Sequence, residues 1–169
     1  MLHVEQGFIN ETSIILEYLE QNHNGTPLLP NDPFERAQVL ALAREIELYI
    51  ELPARACYAE AFFGMSLPDA IKEKTKAELL LGVAALGRHG KFSPYVAGDS
   101  LSIADLYFLY SVPLACGVAK KLFDIDLLAE LPAAKALLER LGQNPNVQRI
   151  AADREAAMPA FMAKVASKR

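Results

Sequence analysis

Hydrophobic residues recur at helical spacing along most of the chain and alternate only at its start. Leu2-His3-Val4 and Phe8-Ile9 flank Glu5-Gln6-Gly7, the pattern of two short strands around a turn. In residues 11–21 the apolar positions Ile14, Ile15, Tyr18 and Leu19 fit a helix, and Asn22-His23-Asn24-Gly25 supplies C-cap and turn residues behind it. Residues 26–31 hold Pro27 and Pro30, cannot continue a helix and read as an extended linker. The chain thus divides into 1–25, a linker 26–31 and an all-helical 32–169.

Asp32-Pro33-Phe34-Glu35 combines an N-cap aspartate, a proline at the first helical position and a glutamate at the third. The helix it opens carries apolar residues on more than one stripe, so it faces neighbours on two sides before ending near Gly64. Pro53 is expected to kink it, since proline removes a backbone hydrogen bond and crowds the Tyr49 carbonyl. Ser66-Leu67-Pro68-Asp69 repeats the capping chemistry and starts a helix to about Arg88, with Lys72-Glu73-Lys74-Thr75-Lys76 as a solvated face. Behind Ser102, the residues Ile103, Ala104, Leu106, Tyr107, Phe108, Leu109, Tyr110 and Val112 are apolar all the way round, which places this helix in the middle of the domain. Ser102 and Asp105 have the spacing of a capping box, with Leu101 and Leu106 as its hydrophobic staple. Two further helices follow, one at about 132–141 stopped by Gly142 and one from Asn144-Pro145 towards Met158. Residues 160–169 read as a fraying tail with one aromatic, Phe161.

Composition changes this picture little but excludes some functions. The chain has 169 residues, 52% hydrophobic and 22% charged, which suits one ordinary globular domain or a domain with a fragment attached. A net charge of -4 without a basic block argues against nucleic acid and against an anionic membrane surface as partners. Cys57 and Cys116 stand singly in apolar stretches and lack the close pairing that zinc or thiol redox chemistry needs, so no metal is expected and both read as reduced core thiols. No cationic segment with an apolar run opens the chain, and no stretch reaches the ~18 uninterrupted apolar residues of a membrane span, so a cytoplasmic protein is expected.

Gly98-Asp99-Ser100-Leu101-Ser102-Ile103-Ala104-Asp105-Leu106, a turn followed by a capped apolar helix, resembles the core helix of the C-terminal domain in the glutathione transferase family. Thr26-Pro27-Leu28-Leu29-Pro30-Asn31-Asp32-Pro33-Phe34-Glu35-Arg36-Ala37 is similar to that family's interdomain linker and first C-terminal helix. Gly7-Phe8-Ile9-Asn10-Glu11-Thr12-Ser13-Ile14-Ile15-Leu16-Glu17-Tyr18-Leu19 is similar to the last strand and helix of its thioredoxin-like domain. The fold implied is an all-α helical bundle of the glutathione-transferase C-terminal type, preceded by a short β-β-α remnant of the glutathione-binding domain.

The resemblance also implies chemistry. Glu11 and Thr12 fall where the family holds the γ-glutamyl end of glutathione, and a carboxylate beside helix amides and a hydroxyl suits an α-amino acid group. The alternative is that these residues only cap a helix. Tyr49, Pro53 and Phe161 are candidates for the second-substrate pocket, or simply core and interface aromatics and a kink. Family members activate the glutathione thiol through a tyrosine, serine or cysteine near the start of the thioredoxin-like domain. The chain begins after the matching position, so no catalytic residue is assigned and the chain alone is expected to be inactive. The implied function is transfer of glutathione to small electrophiles, the alternative a non-catalytic binding or dimerisation module. A homodimer is expected, because an apolar face left open by a partial sheet calls for cover.

Overall fold

The computed structural model describes residues 1–22 and 25–167. Two short strands, β1 (Leu2–Val4) and β2 (Gly7–Ile9), pair antiparallel with Leu2 opposite Ile9 and Val4 opposite Gly7. Gly7 adopts φ 141°, open to glycine and strained for other residues. Helix α1 (Thr12–Asn22) follows, and Asn22 Nδ2 donates to the Tyr18 carbonyl at 2.7 Å. His23 and Asn24 of the expected turn lie outside the described residues.

The linker is bonded at both of its sides. Glu20 Oε1 on α1 accepts the amides of Leu28 and Leu29 at 2.9 and 3.0 Å, and the Leu28 carbonyl accepts the amide of Ile103 at 3.1 Å. Leu29 is buried in the helical core. The prolines keep this segment out of a helix, and the freed amides find a carboxylate instead.

Helix α2 (Pro33–Ile46) opens on Asp32, whose Oδ1 accepts the amides of Phe34 and Glu35 at 3.0 and 2.9 Å. The single kinked helix expected up to Gly64 is instead broken up. A π turn spans Glu47–Glu51, followed by α3 (Leu52–Arg55) and α4 (Tyr58–Phe63), which ends on left-handed Gly64. The disturbance therefore falls before Pro53 rather than at it. Pro53 has no N–H to give Tyr49, and the backbone widens so that the Leu52 amide reaches back to the Glu47 carbonyl.

Helix α5 (Asp69–His89) packs against this turn at Gly82. A methyl group at Gly82 would lie 2.1 Å from the Tyr49 carbonyl oxygen, so the backbones touch where only glycine fits. The expected cap from Ser66 does not form: Pro68 occupies the N-cap without a side-chain bond, and the Glu60 carboxylate takes the Leu67 amide at 2.7 Å. In the charged run, Thr75 turns inward and donates to the Pro53 carbonyl at 3.4 Å, while Glu73 and Lys74 face solvent.

Helix α6 (Ile103–Phe123) is the element the others surround, and Phe108, Val112, Ala115 and Val118 are fully buried in it. By length and composition it could cross a membrane, but over half of its apolar window is packed inside the protein. Helices α7 (Pro132–Gly142) and α8 (Pro145–Ala166) complete the bundle. The tail expected from residue 160 is helical through Ala166, continuing past Pro159 in an alanine-rich stretch, since alanine is the strongest helix former. Residues 168 and 169 lie outside the described residues.

Replacing Gly82 with alanine forces α5 away from the π turn and should lower stability by about 3 kcal/mol or more, at the upper end of overpacking costs. The shift in the urea midpoint measures it.

Candidate functional site

Glu11 and Thr12 stand at the exposed start of α1. Glu11 adopts φ 65°, and its carbonyl accepts the Ile15 amide at 2.9 Å as the first bond of the helix. The amides of residues 12–14 then have no acceptor within the helix and carry its positive end. A carboxylate and free amide donors share one corner, which is a chemical match for an ammonium and a carboxylate on the same carbon.

Ser13, the next residue, connects this corner to the helical domain. Arg44 Nη2 of α2 donates to Ser13 Oγ at 2.7 Å, and the same guanidinium pairs with Glu47 of the π turn. One turn further on, Glu51 pairs with Arg55 and accepts the Ser111 hydroxyl at 2.8 Å. Two phenols face this seam: Tyr58, whose buried hydroxyl has no partner among the described residues, and Tyr107, whose hydroxyl lies beside Ser13. Both are held above the ordinary tyrosine value, by burial first and then by the neighbouring glutamates.

Tyr49 and Pro53 lie on and just after the π turn, with the Tyr49 side chain exposed. Phe161 is set against Phe63 at the end of α4, ring centres 6.4 Å apart and edge to face. Cys57 is fully buried, and Cys116 is pushed up to about 11 by burial and by Asp126, so neither thiol is available as a nucleophile at neutral pH.

Asp105 ties the start of α6 to the preceding loop. Its Oδ2 accepts the Ser102 amide and hydroxyl, each at 2.8 Å, and its Oδ1 accepts the Val96 amide at 2.8 Å. Ser102 and Asp105 form the capping box, and Asp105 is fully buried. A separate open cleft of about 910 Å³ lies between the linker, α2 and the end of α5, walled by Leu28, Val39, Leu42, Glu45 and His89. His89 Nδ1 sits 2.9 Å from both Glu45 carboxylate oxygens there. Glu11, Thr12, Tyr49, Pro53 and Phe161 line none of it; Ser102 reaches its wall.

Sequence reasoning did not find Arg44, Ser13, Glu20 or Tyr107. Ser13 adjoins the predicted pair and could have been suspected, but its arginine partner comes from 31 residues away and leaves no local signal.

The fold and its connected N-terminal corner place the chain in a class, and sequence comparison agrees. A family model for the glutathione S-transferase C-terminal domain matches residues 68–154. The chain belongs to the glutathione S-transferase family. It is 59% identical over 167 residues to a glutathione S-transferase of Pseudomonas putida, covering 99% of this chain and 76% of that protein. It is 31% identical over 154 residues to a probable maleylacetoacetate isomerase of Caenorhabditis elegans, covering 84% of this chain and 64% of that protein. Among solved structures, Gtt2 from Saccharomyces cerevisiae superimposes with a TM-score of 0.69 at 24% identity, over 88% of this chain and 72% of that one. A ternary complex of BphK, a bacterial transferase of the family, gives 0.67 at 24% identity, over 88% of this chain and 70% of that one. The expectation that a catalytic segment is missing finds no support in the Pseudomonas putida alignment, which takes in nearly the whole chain.

Asp105→Ala leaves three buried donors without an acceptor and should cost roughly 3 kcal/mol, more than the ~1 kcal/mol of Ser102→Ala. Burial holds the Asp105 carboxyl above its ordinary value despite its three donors. Its contribution is therefore full below the unfolded value, near pH 4, and declines as pH rises through the folded value. Denaturant midpoints against pH should show the wild-type advantage over Asp105→Asn shrinking across that window.

Proposed function

We propose that this chain carries the glutathione-binding corner and the electrophile-facing helices of a cytoplasmic transferase that joins the glutathione sulfur to small electrophiles. Residues 1–25 are the end of its thioredoxin-like domain, 26–31 the linker and 32–169 the helical domain. The observation that carries this reading is the start of α1, where Glu11 at φ 65° directly precedes the amides of residues 12–14, which have no acceptor within the helix. Glu11 pairs with the α-ammonium of the γ-glutamyl group, and those amides with the Thr12 hydroxyl take its carboxylate. The electrophile lies on the side of Tyr49 and Pro53, with Phe161 closing from α8. Relatives carry a glutathione S-transferase name, and one solved neighbour was crystallised with malonate and glutathione bound.

Two copies associate through the exposed apolar residues of adjoining helices, Leu81 on α5 and Phe34 on α2, each 71% exposed. Light scattering should give twice the chain mass, and Leu81→Glu should halve it. A wild-type mass that stays at one chain at every concentration overturns the dimer.

Calorimetric titration with glutathione tests the site. The wild type should bind, and Glu11→Ala should weaken binding by about tenfold or more, the loss of one charge-assisted hydrogen bond. An affinity unchanged by Glu11→Ala leaves the corner as a helix cap only.

A further inference from the structure

Two stretches far apart in sequence meet at one guanidinium. Arg44 Nη2 donates to Ser13 Oγ at 2.7 Å, and the other arm of the fork pairs with Glu47, the first residue of the π turn. Ser13 directly follows Glu11 and Thr12, while Tyr49 is two residues beyond Glu47. The Arg44 side chain is 49% exposed, so this contact is not core packing, and exposed pairs of this kind contribute little to stability. Tyr107, only 7% exposed, lies with its hydroxyl beside Ser13. Meanwhile Glu11 holds a left-handed conformation that is unfavourable for a non-glycine residue and persists only where the surroundings hold it.

We propose that Arg44 is a positioning residue for glutathione: through Ser13 it sets the turn that presents Glu11 and Thr12, and through Glu47 it ties that turn to the backbone carrying Tyr49. The inference rests on the glutathione reading above and adds a determinant that touches neither substrate. The orientation of the first α1 turn then depends on the helical domain, and one fork sets both halves of the site. A planar guanidinium can hold two acceptors at a fixed angle, which a lysine cannot. Arg44→Lys is therefore a graded test rather than a silent one.

The experiment titrates the full chain with glutathione by calorimetry in wild type, Arg44→Ala, Arg44→Lys, Ser13→Ala and the Arg44→Ala/Ser13→Ala double variant, with a melting curve for each. Arg44→Ala should weaken binding about tenfold while its melting temperature stays within about 2 °C of wild type. Ser13→Ala should match it, the double variant should be no weaker than Arg44→Ala, and Arg44→Lys should fall between wild type and Arg44→Ala. The proposal is overturned if Arg44→Ala binds within about twofold of wild type while Glu11→Ala loses binding. It is overturned equally if affinity falls only together with melting temperature, or if the two substitutions multiply. A wild type without measurable binding removes the glutathione reading and this inference together.

Discussion

The fold is organised by one buried carboxylate. Asp105 accepts three hydrogen bonds, from the amides of Val96 and Ser102 and from the Ser102 hydroxyl, and these set where α6 begins. A buried carboxylate without such partners would be severely destabilising, so loop and helix can be placed in only one way relative to each other. The consequence runs outward through backbone bonds. Ile103, directly after Ser102, lends its amide to the Leu28 carbonyl, and the Leu28 and Leu29 amides go to Glu20 of α1. The corner that presents Glu11 and Thr12 is therefore positioned from the centre of the helical domain.

A second constraint acts on the π turn. Pro53 removes a donor, the chain relaxes into a π turn, and the Tyr49 carbonyl comes to rest against the bare Cα of Gly82. This close approach lets Glu47 and Glu51 project towards α6 and Arg44 while the Tyr49 side chain stays in solvent. Irregular turns of this kind are frequent at functional sites because they re-aim side chains that a regular helix would distribute evenly. The polar seam from Ser13 to Arg55 follows from that re-aiming.

The membership of the family and the chemistry of the site have different warrants. Similarity to the Pseudomonas putida protein at 59% identity establishes the first, while the solved neighbours at about one quarter identity speak for the shape alone. One fold hosts many chemistries, so substrate choice does not follow from the fold, and the surfaces proposed for it are those around the π turn and α8. Those surfaces hold tyrosines, arginine–glutamate pairs and the Phe63–Phe161 contact, while Cys57 is buried and burial pushes the Cys116 thiol up to about 11.

How much was legible in the sequence depended on whether a feature was local. The hairpin at Gly7, the N-cap at Asp32, the left-handed stop at Gly64 and the wholly apolar helix behind Ser102 are each dictated by residues within a few positions of one another, and each has a direct physical cause. Pro53 signalled a disturbance but not its form, because whether a helix kinks or widens depends on what packs against it, here Gly82 of α5. Ser66 looked like a cap and is not one, since Glu60 across the turn takes the amide that matters. The sequence could mark Glu11 and Thr12 as candidates, yet what holds them comes from Arg44, Glu20 and the linker, whose pairing exists only once α1, α2 and α6 are packed together. Sequence by itself determined the family and where most helices start, but not the break-up of the chain around Pro53 or the continuation of α8 to Ala166. Tertiary structure alone decided which side chains meet, because a hydrogen bond across 31 residues leaves no trace in local spacing.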